Sequence, residues 1–136
     1  MVKPVVHDHL FLSGKSRPAS AEDICIAKDL LDTLKANRKG CVGMAANMIG
    51  EKVRIIVFDC DGKYMTMLNP EITEYSDEYE TEEGCLSLSG TRKTKRYDKI
   101  TVKFQTLALE EKTRSFRGFT AQIIQHEIDH CNGILI

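Results

Sequence analysis

Antiparallel strands packed with two helices, an α+β arrangement, is the fold expected of this 136-residue chain. Three observations point to it. An N-terminal stretch carries apolar residues at helical spacing, the middle alternates or runs apolar at strand length, and the last segment returns to helical spacing before a glycine. At this length one domain, residues 1–136, with a real core is expected.

Taken in order, residues 1–19 read as irregular, with Ser13-Gly14 and Arg17-Pro18 as turn signals. His7 and His9 alternate there, and a surface pair is the expectation for them. Ser20 is placed as an N-cap with Asp23 three residues on, opening a helix over 21–37. Its buried stripe is Ile24, Ala27, Leu30, Leu31 and Leu34, and Cys25 is expected to pack with them. Small residues Gly43, Ala45 and Ala46 follow, where a backbone can approach a neighbour closely.

Val53 to Asp59 reads as a buried strand, Asp61-Gly62 as a hairpin turn and Tyr64 to Leu68 as the return, broken at Asn69-Pro70. Glu71 to Glu83 is acidic and is expected to be a solvated loop or edge strand. Arg92, Lys93, Lys95 and Arg96 form a basic cluster, either a solvated face or a grip for a peptide backbone or carboxylate. Ile100 to Leu107 alternates as a strand, Glu110-Glu111-Lys112 turns, and Thr113 to Phe116 returns before Gly118.

Several function classes recede on composition. The formal net charge of −1 gives no sign of a nucleic-acid or membrane-surface binder. Apolar runs such as Ile55-Ile56-Val57-Phe58 are strand length, far short of a span. The N-terminal residues lack the apolar centre of an export signal, and five cysteines without a disulfide pattern fit a reducing cytosol, so a cytoplasmic location is expected.

The chemistry concentrates at Gln125-His126-Glu127-Ile128-Asp129-His130. Ile124, Ile128 and Cys131 set a helical period and Gly133 is placed to end it. His126 and His130 then lie one turn apart on one side, half of a tetrahedral metal site, with Glu127 beside them as a candidate base. Downstream of His130 no His, Asp or Glu remains, and Cys131 sits about 100° around the helix. A third ligand therefore lies upstream: His7, His9, a carboxylate, or one of Cys25, Cys41, Cys60 and Cys85.

Two further stretches complete a pattern. Glu83-Gly84-Cys85-Leu86-Ser87 and Gln125 to His130 match the second and third motifs of the peptide deformylases, and Cys41-Val42-Gly43-Met44-Ala45-Ala46-Asn47-Met48 stands where their first, Gly-x-Gly-x-Ala-Ala-x-Gln, is expected. The chain over about 40–136 thus resembles that family. The resemblance implies antiparallel sheets packed around a C-terminal metal-binding helix, with Cys85, His126 and His130 as ligands and one position open. It implies Fe(II) as the metal, with Zn(II) or another divalent transition metal as substitute; the ligand types alone point to zinc.

The implied reaction is removal of the formyl group from the N-terminal methionine of newly made polypeptides in a bacterial cytoplasm. Glu127 is the implied base, and the Leu86 N–H a donor to the developing oxyanion. Gly43 and Arg92 are implied to contact the peptide, and Phe119 and Ile123 to wall the methionine pocket or equally to pack in the core. N-formylmethionyl peptides and nascent chains are the implied partners, with transient ribosome association a further expectation. Asp129 is expected to orient a neighbour, Arg96 being the candidate.

Met48 holds the place of the family's oxyanion-binding Gln, and a thioether donates no hydrogen bond. Losing one such donor costs about 10²–10³ in kcat. Asn47 has an amide but should project elsewhere, and Cys41 replaces the motif's first Gly. A second reading follows: a paralogue with little turnover that keeps metal or formyl-peptide binding. A third, a structural metal module, is disfavoured because such a site has no use for Glu127.

Overall fold

A computed structural model describes residues 1–136. Its first element lies in the stretch expected to be irregular: a one-turn helix α1 (His9–Leu12), capped by Asp8, whose carboxylate accepts the Leu10 N–H at 3.0 Å. Ser20 and Asp23 then hold each other's backbone. The Ser20 N–H donates to the Asp23 carboxylate at 2.9 Å and the Asp23 N–H to the Ser20 carbonyl at 3.0 Å. The helix they open begins as a 3₁₀ turn (Ala21–Asp23) and continues as α2 (Ile24–Ala36). Ala27, Leu30 and Leu34 are buried as expected, with Thr33 beside them, while Ile24 and Leu31 are half-buried. Cys25 does not pack: it points outward, one position off the apolar stripe.

Five strands follow: β1 (Gly43–Ala45), β2 (Ile55–Cys60), β3 (Lys63–Cys85), β4 (Leu88–Gln105) and β5 (Glu111–Arg117). They form one sheet in sequence order, every pair antiparallel. The β2–β3 turn is Asp61-Gly62, both at positive φ (+53° and +89°), the conformation that this dipeptide favours in tight hairpins. Helix α3 (Gly118–Cys131) leaves the sheet directly after β5.

Two strand boundaries in the middle of the chain differ from expectation. Asn69-Pro70 does not end a strand; β3 runs through it with a register shift between Leu68 and Glu71. Asn69 takes the left-handed conformation (φ +51°) and bonds the Ala19 backbone at 2.7 and 3.0 Å, so proline's missing N–H falls in a bulge rather than in the ladder. Glu71 to Glu83 is the edge strand of the two alternatives expected: β2 pairs only with residues 63–68, so this stretch is open on its other side and mostly exposed. It pairs along its length with β4, which starts at Leu88 rather than near Ile100, and the acidic and basic runs face each other, as Glu80↔Lys95 and Glu82↔Lys93 do.

Around β2 the sheet is buried on both faces. In β2, Ile55 and Val57 turn towards α2, joining Leu30, Leu34, Met44, Met48 and Leu68. Ile56 and Phe58 turn towards α3, joining Met67, Val102, Phe104, Ile124 and Ile128. A strand covered on both faces reads as a continuous apolar run, the pattern seen at 55–58. No helix is long and apolar enough to cross a membrane.

Candidate active site

Helix α3 is fixed along its apolar side and at its C-terminal end. Its apolar side, Ala121, Ile124 and Ile128, is buried against the sheet. Its last turn closes on Gly133 (φ +75°), where the Gly133 N–H bonds the His130 carbonyl (3.1 Å) and the Ile134 N–H bonds that of Asp129 (2.9 Å). The Asn47 amide also donates to the His130 carbonyl at 3.0 Å, tying the first-motif stretch to the helix. His126 and His130 thus project from a rigid support towards the tip of the β3–β4 hairpin.

That tip is a two-residue turn, Leu86-Ser87, between the paired residues Cys85 and Leu88. Cys85 Sγ lies 3.3 Å from His130 Nε2, which lies 3.2 Å from His126 Nε2, and all three donor atoms fall within 4.8 Å of one another. Tetrahedral ligands at metal–nitrogen and metal–sulfur distances of about 2.0–2.3 Å are about 3.3–3.6 Å apart. The donor set fits a single metal ion.

His126 is oriented from behind: its Nδ1–H donates to Glu83 Oε1 at 2.8 Å, which leaves Nε2 free to ligate. Glu83 also receives Arg96 through two bonds (2.7 and 2.9 Å) and the Gln122 amide (2.8 Å), and Arg96 reaches on to Asp129 at 2.7 Å. The Asp129–Arg96 contact is the one expected. Arg96 is thereby withdrawn from the basic cluster, being only 4% exposed, while Lys95 pairs with Glu78 at the surface. Glu83 carries no role in the sequence reading. Its place two residues before Cys85, hence on the same strand face, was a signal, masked by its position at the end of an acidic run.

Electrostatics follow from burial and this network. Burial would raise the Glu83 carboxyl, but hydrogen bonds from His126, Arg96 and Gln122 outweigh it and hold it at about 2. Without metal, burial works against a charged His126, yet its hydrogen bonds to Cys85 and Glu83 lift it to about 10. Burial and the neighbouring His126 charge press His130 down to about 3. Glu127 is buried, has one oxygen without a partner, and is pushed up to about 7 by desolvation.

A cleft of about 600 Å³ opens over this cluster. Cys41, Val42 and Gly43 form one wall and Glu82 to Leu86 another, with Phe119, Ile123, His126 and Glu127 between them. Phe119 stands at the mouth, 63% exposed, and Ile123 is buried deeper. Gly43 is where a side chain cannot fit: a Cβ there would lie 2.7 Å from Ile123 Cγ2 and 3.0 Å from Glu127 Oε2.

A model of the family described as polypeptide deformylase matches residues 4–136. The peptide deformylase of Clostridium beijerinckii is 53% identical over 136 residues, covering 100% of both chains. The chain belongs to the peptide deformylase family. Among solved structures, a class I type b peptide deformylase from Acinetobacter baumannii with Met-Ala-Ser bound is similar at a TM-score of 0.88 and 33% identity, over 99% of this chain and 97% of that one. A peptide deformylase from Legionella pneumophila gives 0.90 at 32% identity, over 99% and 83%.

As a peptide deformylase the chain is a metal-dependent hydrolase that removes the formyl group from the N-terminal methionine of newly made polypeptides. The low-turnover alternative finds no support in these relatives. Two of the residues implied to touch substrate do not line the deformylase cleft. Met48 is 1% exposed on the α2 side of the sheet, its sulfur 3.5 Å from the Ala45 N–H. Arg92 stands across the ladder from Glu83, with a buried Nη1 that has no partner. Asn47 points to the helix backbone, away from the cleft wall.

Proposed function

We propose that deformylation takes place in the cleft between Gly43, the Cys85-Leu86 tip and α3, with residues 1–136 acting as one catalytic domain. The observation that carries this is the convergence of Cys85, His126 and His130 beneath Glu127, whose Oε1 is buried and unpartnered. Cys85, His126 and His130 hold the metal, which we propose is Fe(II), with Zn(II) or another divalent transition metal able to replace it. One thiolate and two imidazoles suit either. A metal held there by three protein ligands supplies Lewis acidity and lowers the pKa of water at the open position towards about 7.

Each remaining step belongs to side chains of this protein. Glu127 takes the proton of the attacking water and later delivers it to the departing methionine amine. Burial favours the neutral form of this carboxyl, which suits it to deliver the proton it has taken up. The Leu86 N–H donates to the formyl oxygen as the formyl carbon becomes tetrahedral. Gly43 lets the peptide backbone run close to Glu127, and Ile123 and Phe119 wall the methionine side chain. Met48 contributes packing rather than a hydrogen bond.

The peptide bound to the Acinetobacter relative, Met-Ala-Ser, supports a cleft that takes a methionine followed by small residues. Since the substrate is newly made polypeptide, we place the enzyme in the bacterial cytoplasm, meeting nascent chains in transient association with the ribosome. The decisive experiment is kcat/KM on a formyl-Met tripeptide with protein loaded anaerobically and its metal content verified. A value within the ordinary enzyme range of about 10⁴–10⁸ M⁻¹s⁻¹ for Fe(II) protein, lower for Zn(II), is expected. No turnover with a full site would refute the proposal.

A further inference from the structure

The N-terminal segment makes two contacts that the mechanism above leaves unused. The Val6 N–H donates to the Met48 carbonyl at 2.7 Å, and His7 Nδ1 lies 2.9 Å from the Ser87 carbonyl oxygen. A carbonyl oxygen only accepts, so His7 carries its proton on Nδ1. Met48 ends the first-motif stretch, and Ser87 sits in the turn beside Leu86. Adjacent residues of the N-terminal segment therefore bond to the end of the first-motif stretch and to the hairpin turn, both just behind the cleft lining. His7 and His9 are both exposed, as expected of a surface pair, but His7 bonds Ser87 while the His9 side chain bonds nothing.

The hairpin tip needs such a hold. It carries Cys85 and Leu86 on neighbouring residues, and hairpin tips are where backbone ordinarily moves most. Below it the ladder is interrupted: the register shifts between Gly84 and Cys85, and Gly90 lies at φ +74°. The turn's own polar side chain gives no help, because the buried Ser87 hydroxyl has no partner. The His7 imidazole is a tether from outside the hairpin.

We propose that His7 is a positioning residue for deformylation. Through the Ser87 carbonyl, its imidazole N–H holds the Cys85–Leu86 tip, so that the Cys85 sulfur and the Leu86 N–H face His126 and His130 across the cleft. This rests on the assignment of Cys85 as ligand and Leu86 as oxyanion donor. His7→Phe keeps a ring without the donor, His7→Asn keeps a donor at the same distance along the side chain, and His9→Phe is the control. The three are compared with wild type in kcat and KM, in Tm, and as cobalt(II)-loaded protein, where the Cys85 thiolate gives an absorption band and release to a chelator can be timed.

His7→Phe is expected to lower kcat about tenfold with KM within about twofold, as a misplacement of catalytic groups would. It should also weaken or shift the thiolate band and speed cobalt release, while His7→Asn and His9→Phe stay close to wild type. Wild-type kcat and cobalt release in His7→Phe would overturn the proposal. So would an equal loss in His7→Asn, or a loss that tracks a fall in Tm. If wild type lacks the thiolate band, or Cys85→Ser retains it, the ligand assignment itself fails and the tether falls with it. If the band behaves and only the His7 variants are silent, the tether alone is wrong.

Discussion

Glu127 shows how the fold prepares one residue for chemistry. Its carboxyl is buried with one oxygen unpartnered, a state that disfavours its charge and so weakens the fold while suiting proton transfer. Glu127→Gln is expected to cut kcat by about 10²–10⁴-fold, to leave metal content unchanged, and to raise Tm; kinetics, metal analysis and thermal melting check the three parts. Met48 is the opposite case, a position where the chain gave up a donor and gained an apolar contact in the α2-side core. Met48→Gln is expected to raise kcat, by up to about 10²-fold if the new amide turns into the cleft, with a lower Tm because an amide replaces a thioether among apolar side chains. Unchanged kcat in the metal-loaded variant would mean that Leu86 and its neighbours already stabilise the oxyanion fully.

At the scale of elements, the site is a junction of β3, β4 and α3. Arg96 of β4 joins Glu83 of β3 to Asp129 of α3, and Glu83 passes the link to His126. Both Arg96 and Glu83 are almost fully buried, so neither charge is tolerable alone. Arg96→Met should destabilise the protein by about 3–5 kcal/mol, read from urea unfolding, because it strands a buried carboxylate. Adding Glu83→Gln to that variant should recover part of the loss. A double variant no more stable than Arg96→Met would mean that the pair matters for shape rather than charge.

For the whole molecule, two pH responses follow from the electrostatics. Metal must displace the proton that His126 holds up to about pH 10 in the metal-free protein. Apparent metal affinity should therefore climb between pH 6 and 9, about tenfold per unit for each proton released, as isothermal titration in two buffers would show. Acid acts through the depressed carboxyls. Asp23, held by Arg17 and the Ser20 backbone, titrates at about 2 against an ordinary 3.8. Its folded-state pKa is lowered, so its stabilisation is present above about pH 4 and fades as pH falls towards 2. Asp23→Asn should flatten the fall in Tm over that window; an unaltered slope would assign acid sensitivity to Glu83 and the site instead.

The metal helix and the hairpin at Asp61-Gly62 were legible because each depends on neighbours within a few residues. Helical spacing places His126 and His130 on one side, and a two-residue turn accepts the Asp-Gly pair whatever surrounds it. Family motifs then named Cys85, since nothing local connects a cysteine to histidines 41 and 45 residues away. What lay beyond the sequence was long-range pairing. The acidic run 71–83 and the basic cluster 92–96 each look solvated alone, and only their alignment across the β3–β4 ladder turns them into strands. The same alignment buries Glu83 and Arg96 behind His126, turns Arg92 away from the cleft wall, and brings His7 to Ser87 across 80 residues. Residue type and spacing determined which chemistry this protein carries; tertiary structure decided which charges are buried, because burial depends on what other segments cover.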